Sequence, residues 1–256
     1  VIDEFTIYGE ASVRLAPGLV ATAGGRYTHS RLDGEGLDVS PLLAESLAAV
    51  TASRTETVFL PSGSLAANLA PDTTLYVRYQ EGFRPGGLAI AGDFVSQFRN
   101  DRAATFEIGG RRGHSGSGPF NVAASVAYTR WRDIQADFID SAGFPSTANI
   151  GDGRIWTATL TAGLAVSPHL RVDAGLTYND GRIDEPTQFL FERVAPALDI
   201  PNFSGRIEDL PPQLLETITE IPNIARFSGR IGFDYRRPLR GNLELTAQGW
   251  ANYIGR

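Results

Sequence analysis

The sequence predicts an all-β protein whose strands cross a lipid bilayer as part of an antiparallel barrel. Polar and apolar residues alternate with a period of two over long stretches, and several of these exceed the mean strand length of globular proteins. The connections between the stretches alternate between short and long, as they do in outer-membrane barrels. No apolar run approaches the roughly 20 residues that a membrane helix needs, so a bilayer would be crossed by strands.

The strands are predicted in order from this alternation. In "FTIYGEASVRLA" the side chains of Phe5, Ile7 and Val13 share one face, and those of Glu10 and Arg14 share the other. The clearest case is "LRVDAGLTYN" at 170 to 179, and the pattern recurs in "RFSGRIGFDYR" at 226 to 236. Less regular stretches lie near 19 to 29, 58 to 69, 74 to 83, 104 to 111, 121 to 137, 154 to 166 and 242 to 254. The alternation therefore predicts about ten strands.

Every second connection is predicted to be long. The short connections, rich in Pro, Gly, Asp and Ser, fall at 16 to 19, 70 to 73, 112 to 120, 167 to 169 and 237 to 241. The long connections cover roughly 29 to 57, 83 to 104, 138 to 153 and 179 to 225. Inside the first of these, "SPLLAESLAAV" at 40 to 50 predicts a short helix, with Ser40 as N-cap and Pro41 as the first helical residue.

The two faces of the strands predict two environments. The apolar face is expected to meet lipid, and the charged face is expected to line a wide, watery lumen. The charged face carries Glu10, Arg14, Arg26, Arg78, Glu107, Arg111, Asp173, Arg230, Asp234 and Glu244. An interfacial girdle near the outer ends of the strands is predicted from Tyr27, Tyr79, Tyr128, Tyr178, Tyr235 and Tyr253.

Composition excludes several functions. The 23 basic residues are all Arg against 29 acidic residues, a net charge of -6, which argues against a nucleic-acid binder. The absence of Lys excludes a Walker-type phosphate loop and a Schiff base, and the absence of Cys excludes a thiol nucleophile. His29, His114 and His169 lie far apart in the sequence, so we predict neither a metal site nor a cofactor. No nucleophile or acid–base constellation indicates an enzyme.

Two glycine- and aspartate-containing stretches leave alternatives open. "DGEGLD" at 33 to 38 and "NIGDGR" at 149 to 154 resemble parts of calcium loops, but neither matches the twelve-residue pattern. Extended loop turns explain them equally well. Ser115 and Ser117 in "GHSGSG" do not fit a nucleophile elbow, and a tight Gly/Ser-rich turn is the simpler interpretation.

A succession of motifs identifies a family. "LYVRYQEGFRPGG" from residue 75 is followed in order by "RAATFEIGGRR", "VAYTRWRDIQADF" and "NIGDGRI". This order resembles the middle and later barrel strands of TonB-dependent outer-membrane receptors, in which a GFRPGG corner precedes a "D.Q" strand end and an "N.G" strand. The resemblance covers residues 5 to 255, although Arg111 stands where Lys is frequent and Trp156 to Thr159 lacks the usual "G.E".

The resemblance implies that residues 1 to 256 form a partial transmembrane β-barrel domain, with about ten of some 22 strands. Family members carry an N-terminal plug and a segment that contacts the periplasmic TonB-type energy transducer, and neither is recognised in this sequence. Such receptors lie in the outer membrane of Gram-negative bacteria, where they actively import iron-siderophore complexes or other large nutrients. The expected partners are therefore outer-membrane lipid, the transducer and the nutrient ligand.

Ligand contacts are expected on the loops that follow the strand ends, because binding groups concentrate on loops held by a rigid scaffold. Aromatic and Arg side chains offer large contact areas with few rotamers. The candidates are Phe83, Arg84, Phe94, Gln97, Phe98, Arg99, Phe138 and Phe144, followed by Phe189 and Phe191. The alternative is that these side chains pack loop against loop.

Two other functions fit the same strands. A passive outer-membrane porin would share the strands and turns but would have no plug. A soluble all-β carbohydrate-binding module would need a second sheet to cover the apolar face.

Overall fold

The computed structural model describes residues 2–37, 49–91, 94–114, 117–139, 145–187, 190, 219–222 and 224–255. Twelve strands form in the described residues. They are β1 (Ile2–Ala16), β2 (Leu19–Leu37), β3 (Ala49–Ala70), β4 (Thr73–Arg84), β5 (Gly87–Ala91), β6 (Phe94–Phe98), β7 (Asp101–His114), β8 (Ser117–Ile139), β9 (Pro145–Ser167), β10 (Leu170–Pro186), β11 (Phe227–Pro238) and β12 (Glu244–Ile254). No described helix is long and apolar enough to span a bilayer.

Ten of these strands form one antiparallel sheet in the order β1-β2-β3-β4-β7-β8-β9-β10-β11-β12, and β5 and β6 form a separate hairpin. Each strand of the large sheet therefore pairs with its neighbour along the chain, apart from the excursion of the hairpin between β4 and β7. The up-and-down order and the number of long strands confirm the sequence prediction.

The predicted bounds of the long connections were wrong. Strands β8 and β9 each run for 23 residues, well beyond the 9 to 11 residues that cross the hydrocarbon core. Much of each predicted loop thus continues the strand ladder. "NIGDGR" lies on β9, and the part of "DGEGLD" that is described lies on β2. The helix predicted at 40 to 50 falls mostly outside the described residues, and β3 already begins at Ala49.

The cross-strand register supports the two predicted faces, because directly paired residues point to the same side of a sheet. Val77 on β4 pairs with Ile108 on β7, which pairs with Val126 on β8, whereas the adjacent row pairs Arg78 with Glu107. The polar face carries an open depression of about 1290 Å³ lined by polar side chains that include Arg171, Asp173, Arg230, Asp234 and Gln248. We call this polar side of the sheet the concave face and the apolar side the convex face.

An aromatic row crosses the convex face. Tyr79, Phe106, Tyr128 and Trp156 are successive cross-strand partners on β4, β7, β8 and β9, and the rings of Tyr128 and Trp156 lie 4.9 Å apart. This row fits the predicted girdle. Tyr235 was placed wrongly, because it pairs with Leu170 directly beside the turn between β9 and β10, at the opposite end of the sheet.

The sheet has two distinct ends. We call the end with the tight connections, such as Pro17–Gly18 and Pro168–His169, the turn end, and the opposite end the loop end. At the loop end an apolar cluster of Ile134, Ile150, Ile183 and Ile221 is buried. Ile221 lies against the backbone of β10 near Gly181, so the segment around it folds back onto the sheet.

Candidate functional site

The candidate site is the corner at which β4 leaves the large sheet. Strand β4 ends at Arg84, β7 begins at Asp101, and these two residues are direct cross-strand partners. The hairpin of β5 and β6 extends from this point and contacts both β3 and β9. Because β3 and β9 flank β4, β7 and β8 in the sheet, a hairpin that touches both must lie across one face at the loop end.

Arg84 is held by a buried carboxylate. Its Nε and terminal nitrogen donate to Oδ2 of Asp101 at 3.0 and 2.7 Å, and its backbone N–H donates to Oδ1 at 3.1 Å. The terminal nitrogen also donates to the carbonyl of Gln135 at 2.8 Å. The Asp101 side chain is 5% exposed, whereas that of Arg84 is 49% exposed. Both carboxylate oxygens of Asp101 thus accept hydrogen bonds from Arg84, while about half of the Arg84 side chain still faces solvent.

Side chains from two other strands form hydrogen bonds with the backbone of the corner. The amide of Gly86 donates to Oε2 of Glu56 on β3 at 3.1 Å, and Glu56 itself is paired with Arg54 at 2.5 Å. From β8, Nε2 of Gln135 donates to the carbonyls of Pro85 and Arg99 at 3.0 and 2.9 Å. Buried backbone groups require such partners, so these side chains hold both sides of the hairpin base.

The return side of the hairpin is held from β9. Asn149 accepts the backbone N–H of Arg99 at 2.7 Å and donates to the Arg99 carbonyl at 2.9 Å. The Arg99 side chain forms an ion pair of 2.8 Å with Asp133. Asp133 has a φ of 51° beside the register shift of β8 after Trp131, which turns this part of the strand toward the hairpin. We call Glu56, Arg84, Asp101, Gln135 and Asn149 the corner network.

The paired glycines of the corner allow close packing. A Cβ atom on Gly86 would lie 2.5 Å from the carbonyl oxygen of Phe98 and 2.8 Å from the amide nitrogen of Asn100. A Cβ on Gly87 would collide with the Phe98 ring. The absence of a Cβ at both positions therefore lets the two ends of the hairpin approach each other.

The structure brings several sequence-predicted contacts together. Phe83 and Arg84 end β4, Gln97 and Phe98 end β6, and Arg99 follows directly. Phe94 begins β6, and only its backbone is described; Phe138 lies near the end of β8, opposite Ser146. Phe144, Phe189 and Phe191 lie outside the described residues. Gln97 and Arg99 are exposed, whereas the Phe98 ring packs on Gly87.

Sequence reasoning missed the residues that hold the corner. Glu56, Asp101, Gln135 and Asn149 were not predicted as site residues, although Gln135 belongs to the "D.Q" strand end and Asn149 to the "N.G" strand. Their order along the chain was a usable signal. Because Gln135 and Asn149 are direct partners on β8 and β9, the three motifs converge on the hairpin base.

The arrangement is suited to positioning a loop. Its polar groups are engaged with backbone amides and carbonyls, and no three potential metal ligands cluster in the part of the chain that the structure describes. The exposed faces of Arg84, Gln97 and Arg99 are presented by a rigid base. Such a base can hold a binding loop in one conformation and so reduce the entropy lost on binding.

Comparison with known proteins gives one family and several solved structures of similar fold. The family model described as "TonB dependent receptor-like, beta-barrel" matches residues 2–256. The ferric yersiniabactin uptake receptor FyuA from Yersinia pestis is 15% identical with a TM-score of 0.71, and the match covers 99% of this chain and 34% of that one. The ferric-catecholate import receptor Fiu from E. coli K12 is 16% identical with a TM-score of 0.64, over 99% and 34% of the two chains.

A third solved structure, the copper transporter OprC, is 16% identical with a TM-score of 0.66, over 93% of this chain and 34% of its own. At these identities the likeness concerns the fold. The chain spans about a third of the length of these structures. No curated protein matches it.

Proposed function

The chain belongs to the family of TonB-dependent receptor-like β-barrels, and on that premise we propose that it is a barrel segment of an active importer in a Gram-negative outer membrane. The cargo is an iron-siderophore complex or a nutrient of similar size. Import is driven by a periplasmic TonB-type energy transducer, and the segment itself performs no bond chemistry. The family is one of receptors and transporters, which agrees with this role.

The observation that carries the proposal is the hairpin held at the loop end of an otherwise polar concave face. Arg84 and Asp101 fix its start, and Asn149 fixes its return. A fixed loop over a wide lumen supports selective capture of a bulky ligand. A passive pore has less use for such a base, because its solutes pass through an open channel.

The proposal is tested by uptake into iron-limited cells that produce the intact receptor. Labelled ferric complexes of catecholate, hydroxamate and carboxylate siderophores are supplied to cells with and without the TonB-type transducer. We expect accumulation of at least one complex, and we expect it to stop when the transducer is deleted. Accumulation that continues without the transducer would identify a passive porin instead.

We propose that Gln97 and Arg99 contact the ligand and that Arg84 acts mainly by holding the corner. Gln97→Ala and Arg99→Ala together should weaken binding of the imported ferric complex about tenfold, since an Arg contact at an interface commonly contributes about 1 to 2 kcal/mol. Arg237→Ala at the turn end is the matched control. Equal affinities of the double variant and the control would show that these two residues do not contact the ligand.

A further inference from the structure

Five arginines lie side by side on the convex face at the loop end. Arg130 on β8 pairs directly with Arg154 on β9, and Arg154 pairs with Arg182 on β10. One step further along the strands, Arg102 on β7 pairs with Arg132 on β8. We call these five residues the arginine ladder. Like charges directly opposite each other destabilise a sheet, so the arrangement requires an explanation.

The ladder lies immediately beyond the aromatic row. Arg130 and Arg154 are each two residues past Tyr128 and Trp156 on the same face, which is a distance of about 7 Å along the strand. From Phe120 to Tyr128, every residue of β8 on this face is uncharged. That span of 9 residues matches the length that crosses the hydrocarbon core. The guanidinium groups therefore begin where the apolar belt ends.

The residues that the structure describes neutralise the charges of the ladder only in part. Arg154 is 3.4 Å from Asp184, Arg182 is 3.7 Å from Asp180, and Arg102 pairs with Glu81. Arg130 and Arg132 make no ion pair with any described residue and are exposed. Among the described residues, two guanidinium groups without an ion pair thus stand between paired ones, on the side opposite the concave face.

We infer that the arginine ladder binds the phosphate groups of anionic lipids in the adjacent headgroup layer. A guanidinium binds phosphate through two parallel N–H donors, and clusters of basic residues beside a membrane segment attract anionic headgroups. A lipid phosphate supplies the countercharge that no described residue offers to Arg130 and Arg132. The inference rests on the proposed membrane location and adds a lipid partner on the outside of the barrel.

The position favours lipid over imported cargo as the source of phosphate. The ladder shares its face with Tyr128, Trp156 and the apolar belt, whereas the corner network, which includes Arg84, belongs to the hairpin base. A cargo molecule that enters the lumen passes the opposite face of the sheet. A lipid beside the barrel, in contrast, places its headgroup directly beyond the aromatic row.

The test is native mass spectrometry of the intact receptor in detergent micelles, titrated with diphosphorylated lipid A, with the same lipid lacking its phosphates, and with inorganic phosphate. The test variant carries Arg130→Gln and Arg132→Gln, which breaks no ion pair among the described residues. The control carries Arg237→Gln and Arg240→Gln, the same change of charge at the turn end, where neither residue makes a described ion pair. Retained heat-modifiable gel mobility establishes that each variant is folded, and Arg132→Gln alone replaces the double variant if it is not.

We expect the wild-type receptor and the control to retain diphosphorylated lipid A in preference to the dephosphorylated form. The double variant should bind the phosphorylated lipid about thirtyfold more weakly. Equal retention by the double variant and the control would overturn the inference, as would equal binding of both lipids or of inorganic phosphate alone. Uptake assays separate the two proposals, since loss of transducer-dependent import with intact lipid discrimination would contradict only the proposed function.

Discussion

The turn end and the loop end of the sheet are built from the same strands, but the polar side chains on the concave face have different partners at the two ends. At the turn end, Arg171 and Asp173 face an open depression, and their ion pair of 3.4 Å leaves the carboxylate 55% exposed. At the loop end, Asp101 is 5% exposed and accepts hydrogen bonds from Arg84. Polar residues alone therefore do not make a site, and what covers them determines whether they fix a loop or only line a lumen.

The difference follows from chain length between strands. Tight connections such as Pro17–Gly18 contain too few residues to reach across the concave face. The excursion from β4 to β7 contains a complete hairpin, which folds back and buries backbone groups that then need side-chain partners. The contrast predicts that substitutions at the loop end cost more stability than matched substitutions elsewhere.

The largest effect is expected in the buried cluster at the loop end. Ile134 is 1% exposed, so Ile134→Ala should lower the free energy of unfolding by about 3 kcal/mol through lost burial and a cavity. Ile139, on the same strand and 58% exposed, is the matched control and should lose less than about 1 kcal/mol on truncation. Urea unfolding of the intact receptor in micelles measures both, and similar losses would mean that the loop end is not tightly packed.

A smaller loss is expected from Asp101→Asn in the corner network. The amide lacks the charge that binds the Arg84 guanidinium and cannot accept from all three of its donors. We expect a local loss of about 2 kcal/mol, reduced by the solvent exposure of Arg84. Hydrogen exchange at the amide of Arg84 measures it, and unchanged protection would show that the corner does not depend on this carboxylate.

Substitution by Ala should destabilise the protein at one glycine near the corner and not at another. Gly86→Ala places a Cβ against Phe98 and Asn100 and should destabilise the hairpin base by about 1.5 kcal/mol. Gly82→Ala meets no atom within 4 Å and should be neutral or stabilise by a few tenths of a kcal/mol, about the gain expected from a less flexible unfolded chain. Limited proteolysis within the hairpin compares them, and equal cleavage rates would contradict the close approach.

The smallest effect is expected at the turn end. Asp173→Asn removes a long ion pair of 3.4 Å with Arg171, in which the carboxylate is 55% exposed, and should change the free energy of unfolding by less than about 0.5 kcal/mol. The measurement is the same urea unfolding experiment in low salt. A loss as large as that of Asp101→Asn would erase the distinction between the two ends.

The alternation of residues was enough to predict the strands and both faces. The ten long strands form one antiparallel sheet, and directly paired apolar residues such as Val77, Ile108 and Val126 share one face. The strand bounds could not be predicted, because β8 and β9 continue as a ladder beyond the stretch of strict alternation. The position of Tyr235 was wrong because parity specifies a face but not an end of the strand.

The candidate site was predictable only in part. "GFRPGG" indicated a corner, and Arg84 was named for ligand contact, but its partners Asp101 and Gln135 lie 17 and 51 residues away in sequence. The periodicity of each strand carries no information about register between strands. The neighbours of Arg84 therefore had to come from the structure.

The sequence by itself determined the class of fold, the polar and apolar faces and the presence of a glycine-rich corner, because side-chain alternation is a local property of each strand. Only the tertiary structure decided that Gln135 and Asn149 hold that corner and that Arg130, Arg154 and Arg182 stand in one row. The physical reason is that both arrangements depend on the relative shift of neighbouring strands, which is set by backbone pairing across the whole sheet.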